Sequence, residues 1–288
     1  MAKVSSIIGV IGGTGLYQMA GLAGLRQVSV TTPFGKPSDK ITRGRLGGVE
    51  LAFLPRHGRG HRLMPTEVNY RANIFAMKKL GVTRLISVSA VGSLREEIAP
   101  GHLVVPDQFI DRTNQRPSTF FGNGVVAHVS FADPFCPDLT RTLADAASAE
   151  GAKVHRGGTY LCIEGPQFST RAESHLYRSW GAHVIGMTNL QEAKLAREAE
   201  ICFATLALAT DYDCWNQQAG DVEIEQVLAV LQQNVALAQM TIGRAAASLT
   251  DSRNCACASA LKDAIITDKA SIPKKVRTAL RPISGKYL

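Results

Sequence analysis

The most constraining feature of this sequence is the segment at residues 201–215, Ile-Cys-Phe-Ala-Thr-Leu-Ala-Leu-Ala-Thr-Asp-Tyr-Asp-Cys-Trp. Its first part is a continuous run of apolar and small residues, with a length and composition typical of a strand buried on both faces. The run ends abruptly at Asp211 and Asp213. Because ligands of α/β proteins bind beyond the carboxyl ends of the strands, both acids are predicted to lie at the edge of a pocket.

Two interpretations of these acids remain open at this point. Burial in an apolar pocket raises the pKa of a carboxyl group, which suits it to donate a proton to a leaving group or to accept a hydrogen bond from an exocyclic amine. Alternatively, the two acids cap the next helix. Asp211 and Asp213 are therefore candidate catalytic and binding residues.

Composition indicates one large folded domain. The 288 residues are 45% hydrophobic and 19% charged, which is enough to build a full core. No segment approaches the roughly 18–20 continuous apolar residues of a membrane-spanning helix, and the N-terminus lacks a basic region followed by an apolar signal core. The sequence therefore predicts a cytoplasmic protein that does not associate with membranes.

The positive charge is concentrated at the C-terminus. Residues 262–288 contain seven Lys or Arg and two Asp, so this segment carries +5 of the net charge of +8. We expect a main domain at residues 1–248 and a basic extension of unknown role at residues 249–288, solvated and flexible. Since the body is nearly neutral, the charge argues against binding of nucleic acid.

The cysteines form no recognisable metal-binding motif. No Cys-x-x-Cys pair with His partners suggests zinc, and the sequence predicts mainly buried thiols and no metal site. The Cys-x-Cys pair at residues 255–257 is interpreted as two unrelated thiols, with a strained redox-active disulfide as the alternative. The six cysteines are Cys136, Cys162, Cys202, Cys214, Cys255 and Cys257.

Three segments near predicted strand ends are suited to binding an anion. Residues 12–15 are Gly-Gly-Thr-Gly, residues 55–62 are rich in Arg, His and Gly, and residues 89–93 are predicted to form a turn of small residues. Glycine-rich backbone presents amide groups, and Arg offers a planar fork of donors. Together the segments predict an inorganic phosphate site, although the loop at 55–62 is also consistent with a solvated basic surface.

Periodicity predicts the remaining elements. Residues 41–46 and 49–54 read as a hairpin, residues 84–90, 103–106 and 157–163 as strands, and residues 67–80, 139–149, 190–200 and 222–240 as helices. Phe168 follows a predicted strand and a Gly-Pro turn, where its ring either stacks on a flat ligand or packs in the core. His128 lies among apolar residues, a setting typical of a structural histidine.

Several motifs occur together in one order along the chain. They include Thr-Pro-Phe-Gly-Lys-Pro-Ser at 32–38, Arg-His-Gly at 56–58, Asp-Gln-Phe-Ile-Asp-Arg-Thr at 107–113, Ile-Glu-Gly-Pro at 163–166 and Ala-Thr-Asp-Tyr-Asp-Cys-Trp at 209–215. Over about residues 7–240 the chain thereby resembles the purine nucleoside phosphorylase family, in particular its members that cleave 5'-methylthioadenosine. Gly186 departs from the pattern, because the animal enzymes have Asn there.

The resemblance implies a nucleoside phosphorylase fold, a single α/β domain with a mixed, partly barrel-like sheet flanked by helices. It also implies a homotrimer that uses inorganic phosphate as co-substrate and needs no metal or organic cofactor. The phosphate-binding residues that it implies are Thr14, Arg56, His57, Ser89, Ala90 and Thr188. The nucleoside-binding residues that it implies are Phe168 and Ile185 on the purine, Met187 on the ribose, Asp211 and Asp213 on the 6-amino group and N7, Ile224, Val227 and Leu228 on the methylthio group, and His128 from the neighbouring subunit.

The expected reaction is phosphorolysis of S-methyl-5'-thioadenosine to adenine and 5-methylthio-α-D-ribose 1-phosphate, in purine and methionine salvage. Asp211 favours a 6-amino base, since a 6-oxopurine presents an acceptor where a carboxylate needs a donor. Three alternatives remain: a phosphorylase for inosine, guanosine or methylthioinosine, a hydrolytic nucleosidase, and a non-catalytic protein that binds nucleosides or nucleic acid.

Overall fold

The computed structural model describes residues 7–13, 16, 19–218 and 224–288. The strands are β1 (Ile7–Gly12), β2 (Ala23–Val28), β3 (Ile41–Leu46), β4 (Val49–Pro55), β5 (Val82–Ser93), β6 (Leu103–Val105), β7 (Gln108–Arg112), β8 (Val154–Arg156), β9 (Thr159–Ile163), β10 (Val184–Gly186) and β11 (Cys202–Asp211). The helices are α1 (Tyr70–Lys79), α2 (Pro137–Ala149), α3 (Arg171–Ser179), α4 (Leu190–Glu198), α5 (Ile224–Ser248), α6 (Lys274–Ala279) and α7 (Arg281–Ser284).

The strands form one mixed sheet that branches at β5. Strands β1 and β11 run parallel to β5, whereas β10 pairs antiparallel with its last residues. One branch continues from β10 to β9 and β7, and the other continues from β11 to β6 and β8. Side chains from both branches pack in one buried cluster, so the sheet curves around a shared interior. The prediction of a mixed, partly barrel-like sheet flanked by helices is confirmed.

Helices cover both faces of the central sheet because side chains alternate along its buried strands. On β1, Ile7 and Ile11 pack in the cluster that contains α1 and α4, whereas Ile8 and Val10 pack in the cluster that contains α2 and α5. The hairpin of β3 and β4 has the predicted bounds to within a residue, and helix α5 extends further than the predicted 222–240. The central strands are therefore sealed from water on both sides.

The predicted turn at residues 89–93 is wrong. Strand β5 continues to Ser93, and its last residues pair with β10. A bulge in β11 between Ala209 and Asp211 keeps Gly92 paired with Asp211. The small residues resemble a turn in sequence, but here they allow neighbouring strands and side chains to approach closely.

The expectation that the C-terminal segment is flexible is also wrong. Leu261, Ile272, Leu280 and Ile283 are buried in the same cluster as helix α1. Their spacing among charged residues gives little periodicity, which is why the sequence does not reveal this packing. The division into domains at residue 248 remains a prediction.

Helices long and apolar enough to cross a membrane do not occur among the residues that the structure describes.

Candidate active site

The two acids lie at the carboxyl end of β11, as predicted. One oxygen of Asp211 accepts a hydrogen bond from the backbone N–H of Asp213 at 2.8 Å, and the other accepts one from the Thr210 hydroxyl at 2.8 Å. Asp213 is only 4% exposed and has a left-handed φ of 51°, which is uncommon for a residue other than Gly. Both acids precede helix α5 by more than ten residues, so the capping interpretation is not supported.

Burial makes both carboxyl groups hard to ionise. It raises the pKa of Asp211, against the opposing hydrogen bond from Thr210. It raises the pKa of Asp213 to about 6, and the nearby charge of Asp211 contributes to the rise. The buried oxygen Oδ2 of Asp213 has no hydrogen-bond partner among the described residues. The buried Ser174 hydroxyl is also unpaired among these residues, and as a nearby donor it opposes the rise in the pKa of Asp213. Since buried polar atoms are nearly always paired, this oxygen is open to a hydrogen bond from Ser174 or from a donor on a ligand.

Gly92 and Ile185 form one side of the space beside the acids. A methyl group added at Gly92 would lie 2.9 Å from an Asp211 oxygen, 3.1 Å from the Ile185 side chain and 3.4 Å from Cβ of Asp213. The absence of a side chain at residue 92 is therefore what lets an apolar residue of β10 and the acids of β11 meet. The structure brings together Ile185, Asp211 and Asp213, as the resemblance implies.

Arg116, which the sequence did not single out, organises the segments that carry Met187 and Phe168. Its guanidinium donates to the backbone carbonyls of Met187 and Glu164 and forms an ion pair with the Glu164 side chain at 3.2 Å. Met187 also packs against Gly165, where an added Cβ would lie 2.5 Å from its sulfur. The Phe168 ring, just beyond this turn, is 44% exposed. It is thus not a core residue, and its face is available for stacking.

Arg56 is buried, which contradicts the interpretation of its loop as a solvated surface. Its guanidinium forms a bidentate ion pair with Glu192 at 2.5 and 3.0 Å. It also donates to the Ser87 hydroxyl at 2.7 Å and to the Val88 carbonyl at 3.0 Å. Of its five N–H groups, one hydrogen on Nη1 is left for a further acceptor after these bonds.

The Arg56–Glu192 pair joins the segments predicted to bind phosphate. It links the end of β4 to β5, just before Ser89, and to the first turn of α4, just after Thr188. Thr188 is buried, and its carbonyl accepts a hydrogen bond from the Cys162 thiol. The structure therefore brings Arg56, the Ser89-Ala90 segment and Thr188 to one place. Thr14 lies outside the described residues.

His57 is neutral at physiological pH. Burial, assisted by the positive charge of Arg56, lowers its pKa to about 4. Its Nδ1 lies 2.8 Å from the Leu63 carbonyl, which can only accept, so Nδ1 carries the proton and Nε2 has a free lone pair. His57 can thus accept a hydrogen bond from a hydroxyl or a protonated phosphate, rather than act as a positively charged donor.

Tyr160 explains the departure at Gly186. A Cβ placed on Gly186 would lie 2.0 Å from the Tyr160 hydroxyl oxygen. That hydroxyl is 3.1 Å from the Ser89 hydroxyl, one of the residues predicted to bind phosphate. The buried Tyr160 side chain therefore occupies the space that an Asn at residue 186 would need.

The residues predicted to bind the methylthio group lie on the N-terminal part of α5. The side chain of Ile224, in the first turn, lies outside the part of the chain that the structure describes. Val227 is half-buried and Leu228 is 49% exposed. His128 is exposed, contrary to a structural role in a core, and its backbone N–H donates to the Ala264 carbonyl at 2.9 Å. An exposed His128 is accessible to a neighbouring chain.

Comparison with known proteins identifies the family of this chain. The sequence model of the phosphorylase superfamily matches residues 7–247. An S-methyl-5'-thioadenosine phosphorylase from Geobacter sulfurreducens is 64% identical over 286 residues, which cover 99% of this chain and 100% of the relative. The enzyme of the same name from Koribacter versatilis is 56% identical, covering 97% of this chain and 96% of the relative.

Solved structures agree with the sequence relatives. A crystal structure of methylthioadenosine phosphorylase from an antarctic soil metagenomic library has a TM-score of 0.93 and 50% identity, covering 98% of this chain and 99% of that chain. Methylthioadenosine phosphorylase from Schistosoma mansoni in complex with adenine has a TM-score of 0.79 and 38% identity, covering 84% of this chain and 91% of that chain.

Proposed function

Since this chain belongs to the phosphorylase superfamily, we propose that it catalyses the phosphorolysis of S-methyl-5'-thioadenosine to adenine and 5-methylthio-α-D-ribose 1-phosphate. The observation that carries the proposal is the pair Asp211 and Asp213, whose burial raises the pKa of both carboxyl groups. A buried oxygen of Asp213 is free to accept a hydrogen bond. This arrangement suits a base that carries an amino group beside a ring nitrogen.

The proposed step breaks the bond between C1' of the ribose and N9 of the purine. The bonding electron pair moves to the purine, and C1' becomes positively charged. A phosphate oxygen then bonds to C1', while a proton transferred to N7 neutralises the departing base. We assign this proton to Asp211, with Asp213 accepting from the 6-amino group through Oδ2. General acid catalysis of this kind contributes about 10²- to 10⁴-fold.

Phosphate binding is proposed to depend on hydrogen-bond donors more than on net charge. The charge of Arg56 is balanced by Glu192, and His57 is neutral. The remaining hydrogen on Arg56 Nη1, the Ser89-Ala90 segment and Thr188 at the start of α4 would hold the anion, with Thr14 as a further donor. The N-terminus of α4 adds a favourable dipole.

The proposed specificity follows from the same carboxyl groups. Adenine offers an N–H at position 6, whereas inosine, guanosine and methylthioinosine carry an oxygen there. An acceptor facing an acceptor would leave buried groups unpaired, so we propose that 6-oxopurine nucleosides react more slowly. The acceptor oxygens of the two acids therefore favour the adenine series over the alternative of a 6-oxopurine phosphorylase.

The rest of the substrate is proposed to be held by apolar contacts. Phe168 and Ile185 would flank the purine, and Met187 would contact the ribose. Ile224, Val227 and Leu228 would surround the methylthio group, with His128 supplied by a neighbouring subunit of a homotrimer. The reaction uses inorganic phosphate as co-substrate and needs no organic cofactor or catalytic metal. We propose a cytoplasmic role in purine and methionine salvage.

Release of free base tests this proposal. The substrates are methylthioadenosine, adenosine, methylthioinosine and inosine, each with and without inorganic phosphate. We expect phosphate-dependent release of adenine, fastest from methylthioadenosine, with adenosine as a slower substrate. Release without phosphate would identify a hydrolase, and preference for the inosine series would refute the role given to the acids. No release would point to a binding protein.

A further inference from the structure

The fold brings four of the six cysteines to one place. Their Sγ atoms all lie within 4.8 Å of one another, although they come from three separate segments of the chain. They are Cys136 at the cap of α2, Cys202 at the start of β11, and Cys255 and Cys257 in the C-terminal segment. The sequence did not predict this cluster, because only the Cys-x-Cys pair is local.

The geometry of the cluster suits a tetrahedral metal site. In a tetrahedral Cys₄ zinc site each Zn–S bond is about 2.3 Å, which separates the sulfur atoms by about 3.8 Å. The four Sγ atoms need only small side-chain adjustments from their present separations, one of which is 3.3 Å between Cys202 and Cys255. All four cysteines are free thiols in this structure. We propose that they bind a thiophilic divalent cation, Zn²⁺, which displaces the four thiol protons to solvent.

The surroundings of the cluster fit this assignment. Three of the four cysteines are buried, and thiolates are the ligands that zinc prefers in such closed sites. Four thiolates and Zn²⁺ carry a net charge of −2. Two arginines that neighbour the cysteines in the sheet and along the chain can offset this charge. Arg84 is the register partner of Cys202 on β5 and donates to the Ser252 carbonyl at 2.6 Å. Arg253 precedes Cys255 by two residues and donates to the Glu200 carbonyl at 2.8 Å.

The site would fasten the C-terminal segment to the body of the protein. Two ligands come from residues 255–257, and the other two come from α2 and β11. Further along, the same segment pairs with the loop that carries His128, through a β-bridge between Ala127 and Ile265 and the bond from His128 to Ala264. Metal binding would therefore help to hold the His128 loop in position.

Metal analysis of the full-length protein tests the proposal. The protein is produced with zinc in the medium and purified under reducing conditions, without chelators or a metal-affinity step. We expect about one zinc per chain by elemental analysis, and X-ray absorption showing four sulfur neighbours at about 2.3 Å. Removal of zinc is expected to speed amide hydrogen exchange at residues 126–128 and 249–288.

Matched variants locate the site. Cys255→Ser and Cys257→Ser should lose the zinc, whereas Cys214→Ser, outside the cluster, should keep it. The X-ray absorption of the unmodified protein decides the matter independently if a variant fails to fold. A protein that takes up no zinc on addition of the metal, with either six titratable thiols or a mass lowered by disulfide formation, would overturn the proposal. So would nitrogen or oxygen ligands in the absorption spectrum.

Discussion

At the scale of residues, Asp213 combines features that are costly for stability. It holds a left-handed φ of 51° and buries a carboxyl oxygen without a partner. Such costs are often concentrated at functional sites, where a ligand supplies the missing interaction. Asp211, in contrast, already accepts two hydrogen bonds, which fix its orientation. Asp213 thus offers a substrate an unpaired acceptor, whereas Asp211 offers a carboxyl group whose orientation is already fixed.

We predict that Asp211→Asn lowers kcat/KM for methylthioadenosine by about 10²- to 10⁴-fold, because Asn cannot deliver a proton to N7. The KM for phosphate should change little, since Asp211 pairs with Gly92 of β5, four residues beyond the Val88 carbonyl that Arg56 contacts. Steady-state kinetics with each substrate varied in turn measure both effects. Asp145→Asn, an exposed acid on α2, is the control. Equal losses for nucleoside and phosphate would contradict the role of Asp211.

Asp213 should make stability depend on pH. Its folded-state pKa of about 6 lies above the ordinary value of 3.8, so its contribution to stability is full below pH 4 and is lost as the pH rises through 6. Asp213→Asn should therefore raise the free energy of unfolding at pH 8 by up to about 3 kcal/mol relative to wild type. The difference should vanish near pH 4.

Denaturant unfolding at both pH values, without ligands, checks this prediction. Asp145→Asn again serves as the control and should show no such pH-dependent gain. A difference between Asp213→Asn and wild type that is the same at pH 4 and pH 8 would show that the folded-state pKa of Asp213 is not raised.

At the scale of elements, one buried ion pair joins the end of β4 to the start of α4. Glu192 is fully buried and faces Arg56 and the Ser87 hydroxyl, so three elements depend on its charge. In sequence the residue is only one of several polar residues after Thr188. The partner of Arg56 lies 136 positions away, and no local pattern connects the two.

We predict that Glu192→Gln destabilises the protein by on the order of 3 kcal/mol, because it leaves the Arg56 charge buried without its counter-ion. The same change should lower the KM for phosphate, since the anion then becomes the counter-ion. Thermal unfolding with and without phosphate, together with kinetics, measures both effects. Glu97→Gln, an exposed acid, is the control. An unchanged unfolding midpoint would contradict the importance of the pair.

At the scale of the whole molecule, the proposed site uses surfaces that one chain leaves exposed. Phe168 and Leu228 are exposed apolar side chains, and His128 is exposed on the loop held by the C-terminal segment. In the proposed trimer, His128 of each chain completes the site of its neighbour. Under this proposal, the position of the His128 loop would affect the site of the neighbouring chain.

Subunit mixing tests this arrangement. We predict that His128→Ala raises the KM for methylthioadenosine, and that Asp211→Asn abolishes most turnover. Mixed trimers of the two variants, formed by joint unfolding and refolding, should regain some wild-type sites. At a methylthioadenosine concentration well below the KM of His128→Ala, they should exceed the summed activity of the separate variants. A mixture of Asp211→Asn and Asp213→Asn should show no gain, because each change lies in the site of the chain that carries it and no wild-type site can form. Absence of gain in the first mixture would place His128 in its own chain's site.

The sequence by itself determined the α/β class, the hairpin, most helices and the two acids at the end of β11, because these depend on local periodicity and on the abrupt end of an apolar run. Only the tertiary structure decided the continuation of β5 through residues 89–93, since small residues suit both turns and close strand packing. It also decided the partners of Arg56, the Tyr160 ring above Gly186 and the meeting of four cysteines. Each of these contacts joins residues distant in sequence, and neither propensity nor spacing encodes such contacts.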